Sequence, residues 1–514
     1  MTSLKNTILY KPLFWLIPLF LLTHLFMFNI NAAEWGDSYR ILRAAESLKQ
    51  GFYPADEKRP PLFAYILSLR PNSIDPTTFG RITVLILSLG TFYLFFRLLE
   101  TFVASRPWQS FGALLFLLNN IYLYWSVRIM SDIPFTFLVM LVLYLLKKWE
   151  GRLGGYRLVT IGALVGLSVL TRFEGYLLFV ACGLGLVLGR PLSRLWFRAL
   201  KAMPYIIGFF VIVLPYLIYK NPLSSSYFEE TSSRAYDLKM ALIFLVSFLY
   251  IMGVTQFIGV LVLNAKKFYI WAIENPPMAI FLLLDLTLIF VWPAAIPRLF
   301  LPILPLFIII FIIFLKDHFS DVTFYNLHSL FVLNILTVIF YAVCQYYFKL
   351  QFLVLVKPLF ILNIIMQILG TVFLYRKNLK GFVAVSILCL VLSSYLVIYL
   401  HKNIFISVKS ASDYASKNLR GNIAYNDVSS VSDWYLNYQN PKDAVKGFYY
   451  NTEKKANLEL PTLNERKIDY LLITNEHNTT MTLDLKKRPY LKELKNFSYN
   501  VNGKKFTSLV VEVL

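Results

Sequence analysis

The chain has 514 residues, of which 57% are hydrophobic and only 15% are charged. Soluble domains usually carry about 25% charged residues, so this composition excludes a wholly soluble protein and indicates one that crosses a membrane repeatedly. The formal net charge of +21 would suit a nucleic-acid-binding protein, but the cytoplasmic loops of membrane proteins are also rich in Lys and Arg.

Apolar windows of about 20 residues, long enough to cross a bilayer as a helix, recur up to about residue 400. The first window follows Lys5 and Lys11 and lacks a clean cleavage site, so we expect a retained span and not a signal peptide. The windows predict about 13 transmembrane helices, near residues 12–30, 82–99, 109–126, 133–147, 158–171, 175–189, 203–219, 240–263, 277–292, 299–315, 329–348, 352–375 and 381–400.

The basic residues are divided unevenly between the two faces of this predicted membrane region. With the N-terminus inside, the inner segments hold 18 Lys and Arg against five acids, whereas the outer loops hold 15 against 11. The positive-inside rule therefore places the N-terminus in the cytoplasm, and an odd number of spans places the C-terminus outside. Most of the excess charge is an orientation signal, and we expect no nucleic-acid partner.

The residues from 402 onward differ in character from the membrane region, which we assign to residues 1–401. They contain 17 basic and 12 acidic residues, and their apolar stretches are short. Runs near 422–425, 446–450, 468–474 and 506–513 are typical of strands, and 413–419 and 432–436 of helices. We therefore expect residues 402–514 to form a small extracytoplasmic α/β domain.

The first outer loop, from about residue 31 to residue 80, is large and highly charged. Apolar residues at helical spacing predict an amphipathic helix over residues 38–50, lying along the membrane interface. Asp37 precedes this helix, where it could serve as the N-cap, as a functional carboxylate, or as both. Glu34 lies nearby, and Lys58 and Arg59 stand before two prolines. A carboxylate and two cations beside a membrane entrance suit a charged, lipid-linked substrate.

Further charged residues stand at the predicted outer ends of later spans. Asp132, in a Ser-Asp-Ile-Pro segment, suits either a helix cap or a functional site. Arg172 and Glu174 occupy a short turn, as a snorkelling surface pair or as part of a site. Arg298 begins a span against the positive-inside trend and needs an anionic partner, for which a phosphate is suited because Arg can bind two of its oxygens.

Asp285 is predicted inside the ninth span. An acid inside a membrane is usually functional, and the alternative is that the span is offset so that Asp285 lies near the inner surface. The five His residues show no metal-binding spacing, and neither a P-loop nor a dinucleotide-binding motif is present. No cofactor is therefore indicated, and a divalent metal between Asp37 and Asp132 is left open.

Taken in order, four segments resemble a known family. The string WGDSYRILRAAESLKQGFYPADEKRPPL is similar to the first loop of the protein O-mannosyltransferases and lipid A aminoarabinose transferases, which are GT-C-fold glycosyltransferases. SDIPF, LTRFEGYLL and PRLFLPILP resemble later blocks of the same families, over roughly residues 10–315. Thirteen spans with an external α/β tail resemble the aminoarabinose transferases in particular.

The resemblance implies transfer of a sugar from a polyprenyl-phosphate carrier to an acceptor outside the cytoplasm, and it implies residue roles. Asp37 matches the carboxylate that activates the acceptor hydroxyl, and Asp132 matches a second acidic block. Lys58, Arg59 and Arg298 match contacts of the carrier phosphate. Ser38 stands where the commoner pattern has a second acid, which puts in question whether another acid such as Glu34 takes part.

We therefore expect an integral protein of the plasma (inner) membrane of a prokaryote, with a protein, lipid or glycan as acceptor. Two other functions stay open. A transporter or flippase of lipid-linked sugars would also need cations for phosphate, but inverted repeats and broken midplane helices are not evident. A polymerase or ligase of surface polysaccharide would be expected to have its large loop late in the membrane region.

Overall fold

The computed structural model describes residues 12–188, 199–219, 264–292, 296–321, 339, 343, 357–439, 445–452, 455–476, 487–501 and 504–514. The predicted span 240–263 lies outside the described residues, as does nearly all of 329–348. In the membrane region the described α-helices are Leu13–Phe28, Gly36–Lys49, Leu62–Ser68, Pro76–Phe102, Arg106–Leu117, Asn120–Trp125, Asp132–Lys148, Gly155–Thr171, Gly175–Leu188, Met203–Tyr219, Ala265–Glu274, Pro276–Val291, Leu304–Asp321, Lys357–Tyr375 and Leu379–His401.

Two of the described helices are long and apolar enough to cross a membrane singly, namely Pro76–Phe102 and Leu379–Tyr399. A third candidate is the pair Ala265–Glu274 and Pro276–Val291, which is bent by 115° between its halves. The apolar helices Leu13–Phe28, Gly155–Thr171, Gly175–Leu188 and Met203–Tyr219 have 17 residues or fewer. The structure thus agrees with a helical membrane protein, whereas the count of 13 spans is not confirmed.

Two predicted spans are interrupted for identifiable reasons. The window 109–126 is divided because the Asn119 side chain accepts a hydrogen bond from the backbone N–H of Ile121 at 3.0 Å and so caps a new helix. The window 299–315 begins as a 3₁₀ turn, Pro297–Phe300, before the helix starts at Leu304. Pro302 lies between the two elements and has no N–H to continue a helical ladder.

A buried ion pair fixes the start of the first outer loop to the membrane helices. The Glu34 side chain is fully buried, and its Oε1 lies 2.6 Å from Arg81 Nε and 3.1 Å from Arg128 Nη1. Arg128 is also fully buried and donates a hydrogen bond to the Met27 carbonyl at 2.9 Å. Breaking such a pair leaves an unpaired buried charge, so this contact holds the loop in one position.

The C-terminal region is an α/β unit with one five-stranded sheet. The strands are β1 Gly421–Tyr425, β2 Val445–Tyr449, β3 Tyr470–Thr474, β4 Leu491–Val501 and β5 Lys504–Val513, in the order β2-β1-β3-β5-β4. β1 pairs in parallel with β2 and β3, and β5 pairs antiparallel with β3 and β4. The helix Ile406–Asn418 packs on this sheet, and short helical turns occupy Val431–Asp433, Trp434–Tyr438, Lys455–Leu458 and Leu460–Glu465.

The predicted strands of this unit agree with the structure, apart from β4, which the sequence analysis missed. β4 is one of the two edge strands of the sheet, and most of its side chains are exposed or half-buried. An edge strand shows little apolar alternation because it covers little of the core, so its sequence reads as a polar loop.

Candidate active site

The helix Gly36–Lys49, hereafter the loop helix, carries Asp37 in its first turn. The helix begins two residues earlier than predicted, and Trp35 is its N-cap residue. The alternative that Asp37 is the N-cap is therefore wrong, because Asp37 is the second residue of the helix.

Two arginines from distant parts of the chain contact the Asp37 carboxylate. Oδ1 lies 2.5 Å from Arg59 Nη2, and Oδ2 lies 2.7 Å from Arg298 Nη2. Burial alone would raise the pKa of the Asp37 carboxyl, but the two guanidinium groups outweigh burial and hold that pKa well below its usual range. About a third of the side chain (34%) stays exposed, so the carboxylate is both ionised and accessible.

Arg59 is held in place by the rest of its turn. Its Nη1 lies 2.9 Å from Glu57 Oε1, and its backbone N–H donates to the same oxygen at 3.1 Å. The Tyr53 hydroxyl donates to the Arg59 carbonyl at 2.8 Å. Lys58 adjoins Arg59 and is half-buried. The turn therefore presents a preoriented guanidinium, which loses little freedom on binding an anion.

Asp132 lies at the first position of the helix Asp132–Lys148 and also contacts two arginines. Its Oδ1 lies 2.8 Å from Arg172 Nη1, and its Oδ2 lies 3.6 Å from Arg298 Nε. Ser131 is the N-cap residue and makes no side-chain cap hydrogen bond. The capping alternative for Asp132 is thus not what the structure shows.

Arg172 points into the molecule and not out along a membrane surface. Its side chain is only 16% exposed, and its Nε donates to Glu174 Oε1 at 3.0 Å. The snorkelling alternative therefore does not hold for Arg172.

Arg298 joins the two acidic residues and is not the unpaired arginine that the sequence suggested. It lies in the 3₁₀ turn Pro297–Phe300, and its guanidinium carbon is 5.2 Å from the centre of the Trp125 ring. Through Arg298, segments more than 100 residues apart form one row of alternating charge. This row, hereafter the charge cluster, consists of Glu57, Arg59, Asp37, Arg298, Asp132, Arg172 and Glu174.

Asp285 lies beside the charge cluster. It is 1% exposed and lines a pocket together with Asp132, Arg172 and Glu174. Asp285 thus lies at the same end of the helices as the turn that holds Arg172 and Glu174. Whether this end faces outward stays a prediction from the charge distribution.

Glu34, a secondary candidate, lies in the buried pair with Arg81 and Arg128 described above. Sequence reasoning missed both of these arginines. The usable signal for Arg128 was its position directly after an apolar window, since an arginine there needs a partner.

The C-terminal unit packs directly on the loop helix. A Cβ atom on Gly36 would lie 2.3 Å from the backbone oxygen of Ser429, so only glycine fits at this contact. Arg40, one turn further along, donates to the Ser430 hydroxyl at 3.0 Å. The residue next to Asp37 is therefore positioned by the C-terminal unit, which the sequence did not predict.

A divalent metal would have to bind to the carboxylates of the charge cluster. Among the residues that the structure describes, no three His, Cys, Asp or Glu groups are placed to hold a metal ion. Asp37 and Asp132 do converge, but they do so on the guanidinium of Arg298. The two carboxylates thus share a guanidinium group, and whether a divalent metal binds stays open.

The chain has the fold of the GT-C membrane glycosyltransferases. No family model and no curated sequence matches it. ArnT of Cupriavidus metallidurans in the apo state superposes with a TM-score of 0.59 at 14% identity, over 99% of this chain and 98% of that one. The same enzyme bound to undecaprenyl phosphate gives a TM-score of 0.59 at 12% identity, over 97% of both chains.

A more distant similarity is to the archaeal oligosaccharyltransferase AglB from Archaeoglobus fulgidus, in complex with an inhibitory peptide and a dolichol-phosphate. Its TM-score is 0.52 at 12% identity, over 96% of this chain and 74% of that one. At such identities the similarity establishes the fold. The expected GT-C fold is confirmed, and the activity is argued from the residues of this chain.

Proposed function

We propose that this protein is a membrane glycosyltransferase that moves a sugar from a polyprenyl-phosphate carrier to a protein, lipid or glycan acceptor outside the cytoplasm. One observation carries the proposal: an accessible carboxylate, Asp37, lies between two arginines, Arg59 and Arg298, that are spaced to bind an anion. The ligands of the similar structures, undecaprenyl phosphate and dolichol-phosphate, support this class of donor.

The reaction needs two kinds of group, and the charge cluster offers both. The acceptor oxygen forms a bond to the anomeric carbon of the sugar while the bond from that carbon to the carrier phosphate breaks. The phosphate leaves with the bonding electrons, so a second negative charge develops on it, and Arg59 and Arg298 with the adjoining Lys58 neutralise this charge. Asp37 takes the proton of the acceptor hydroxyl, a step that typically contributes about 10²–10⁴-fold.

The ion pairs at Asp37 link donor binding to this proton transfer. A carboxyl with a strongly lowered pKa is always ionised but is a weak base. A carrier phosphate competes with Asp37 for the same guanidinium groups. When an arginine turns to the phosphate, the pKa of Asp37 rises toward its usual range, and Asp37 becomes a better base only once the donor is bound.

Asp132 acts in this scheme through Arg298 and Arg172. Its oxygens contact both guanidinium groups, so it keeps them oriented while the phosphate charge changes. We therefore place Asp132 as a positioning residue, with Glu174 supporting Arg172. Glu34 serves to hold the loop through Arg81 and Arg128.

The proposed topology follows the charge distribution. The N-terminus lies in the cytoplasm, the C-terminal unit lies outside, and the protein resides in the inner membrane of a prokaryote. The charge cluster then lies at the outer surface, where the acceptor is present.

One observation favours a flippase of lipid-linked sugars, namely the 115° break before Pro276–Val291, because transporters use broken helices. However, the break lies at the end of that helix opposite to Trp292, which lines the pocket at the cluster. A broken helix in a transporter would be expected to coordinate the substrate.

Proteoliposomes with a short-chain, water-soluble polyprenyl-phosphate sugar on the outer side alone distinguish the two functions. Cell-envelope material serves as acceptor, and release of polyprenyl phosphate is measured. The transferase releases the carrier phosphate without moving lipid across the bilayer. Movement of the donor across the bilayer with no release of carrier phosphate would show a flippase.

A further inference from the structure

Asp285 has a buried carboxylate oxygen that the reaction described above does not use. The residue lies about two turns before the end of the helix Pro276–Val291 and is 1% exposed. Among the residues that the structure describes, its Oδ2 has no hydrogen-bond partner. An unsatisfied buried polar group is costly and rare in native proteins, so it points to a ligand.

The oxygen belongs to a pocket that adjoins the charge cluster. The polar side chains of the pocket are Asp132, Arg172, Glu174 and Asp285, and Trp292 contributes to its apolar wall together with Leu299 and others. Asp132 and Arg172 are members of both the pocket and the cluster. The space beside Asp285 holds about one water-sized group, so a donor with its phosphate on Arg298 would reach Asp285 with a single sugar hydroxyl and not with the whole ring.

The side chains of the pocket suit the sugar of the donor better than its polyprenyl chain. Asp132 and Glu174 already pair with Arg172, so among the described residues the acid of the pocket that has a free oxygen is Asp285, and a polyprenyl chain would leave this oxygen unsatisfied. A sugar hydroxyl has the size of a water molecule and can donate a hydrogen bond to this oxygen.

We propose that Asp285 accepts a hydrogen bond from one ring hydroxyl of the donor's sugar and thereby determines which sugar the protein accepts. This inference rests on the proposed glycosyltransferase function. It assigns to Asp285 the recognition of the glycosyl group, separately from the arginines that bind the carrier phosphate.

Binding to the full-length protein in nanodiscs tests the inference without knowledge of the acceptor. The probes are bare undecaprenyl phosphate and a panel of the same carrier loaded with glucose, mannose, N-acetylglucosamine or an aminopentose. The ratio of the bare-carrier Kd to the loaded-carrier Kd gives the contribution of each sugar. Wild-type protein should bind at least one loaded carrier about 2–10-fold more tightly than the bare one, as expected for one buried hydrogen bond.

Asp285→Asn should reduce that ratio and Asp285→Ala should abolish it, while both keep the wild-type Kd for bare carrier. Thr287→Val, on the exposed side of the same helix, is the matched control and should change neither Kd. Deoxy forms of the preferred sugar identify the hydroxyl, because its removal should lower wild-type affinity but not that of Asp285→Ala.

The outcomes separate the inference from the function on which it rests. Failure of wild-type protein to bind bare undecaprenyl phosphate would overturn the proposed function and the inference together. If the bare carrier binds but no sugar adds affinity, or if Asp285→Ala keeps the full sugar contribution, the inference alone is overturned.

Discussion

Arg298 Nη2 lies 2.7 Å from Asp37 Oδ2, although 261 residues separate the two in the chain. The sequence draws attention to each residue for a different reason. Asp37 is an acid in the first outer loop, and Arg298 is an arginine at a predicted outer helix end, against the positive-inside trend. Their contact makes them one unit, in which the group proposed to bind the carrier phosphate also holds the proposed base inactive.

Replacement of Arg298 should weaken carrier binding. Arg298→Gln removes a charged partner of the phosphate, and a hydrogen bond to a charged group is worth about 1.5–3 kcal/mol, so the Kd for undecaprenyl phosphate should rise about 10–100-fold. Arg97→Gln is the control, because Arg97 is exposed and pairs with Glu100 within its own helix. Unchanged affinity in Arg298→Gln, measured by calorimetry in nanodiscs, would remove Arg298 from the phosphate site.

The pH dependence of turnover should differ between the free and the donor-bound protein. Arg59 and Arg298 lower the pKa of Asp37 in the free protein, so the acidic limb of kcat/KM should lie below the usual aspartate range of about 4. Donor binding draws an arginine away, so the acidic limb of kcat should appear at higher pH. Coincident limbs in the two profiles would contradict this coupling.

The same pKa shift predicts how Asp37 contributes to stability. Because its pKa is lower in the folded than in the unfolded protein, its contribution is fully present above the ordinary aspartate value and is lost as pH falls below that value. Thermal unfolding in detergent should therefore show a smaller Asp37→Asn effect at pH 3 than at pH 7. A larger effect at the lower pH would mean that the ion pairs with Arg59 and Arg298 are absent in solution.

A methyl group at Gly36 should disturb the site through the C-terminal unit. The new Cβ would lie 2.3 Å from the Ser429 backbone oxygen, so the loop helix must shift and carry Asp37 with it. We expect Gly36→Ala to lower stability by about 1–3 kcal/mol and to lower kcat more than carrier affinity. Gly154→Ala, at a position with open space, is the control. Normal kcat in Gly36→Ala would show that this contact does not position Asp37.

Glu34 should behave as a structural residue. Glu34→Gln leaves Arg81 and Arg128 buried without their anion, and breaking such a pair costs about 3–5 kcal/mol. The melting temperature should fall clearly, while the protein that stays folded should bind undecaprenyl phosphate with wild-type affinity. Wild-type stability combined with lost transfer would instead place Glu34 in the reaction.

The sequence was informative where side chains face water or carry charge. Asp37 and Arg59 stand out as charged residues of the first outer loop, and Asp132, Arg172 and Arg298 as charged residues at the ends of apolar windows. The structure brings all five together. Pairing was not predictable, because the spacing of residues along the chain does not say which helix ends meet. Arg298 was therefore expected to be unpaired, and Asp37 and Asp132 were assigned capping alternatives that the structure does not show.

The hydropathy pattern also did not predict local details of the backbone. The break at Asn119 lies within a continuous apolar window, and hydropathy does not register a side chain that caps a new helix inside the membrane region. The contact of Gly36 with Ser429 joins two regions that the sequence analysis treated separately. Such contacts depend on the packing of the whole molecule, and no local signal marks them.

The central claim is that Asp37 performs proton transfer while the arginines around it bind the carrier. Asp37→Asn tests it most directly, measured for both undecaprenyl phosphate affinity and sugar transfer in one nanodisc preparation, with the exposed loop acid variant Asp56→Asn as control. We predict that transfer falls about 10²–10⁴-fold while carrier affinity is unchanged or higher, because Arg59 and Arg298 are released. Full transfer by Asp37→Asn would contradict the account.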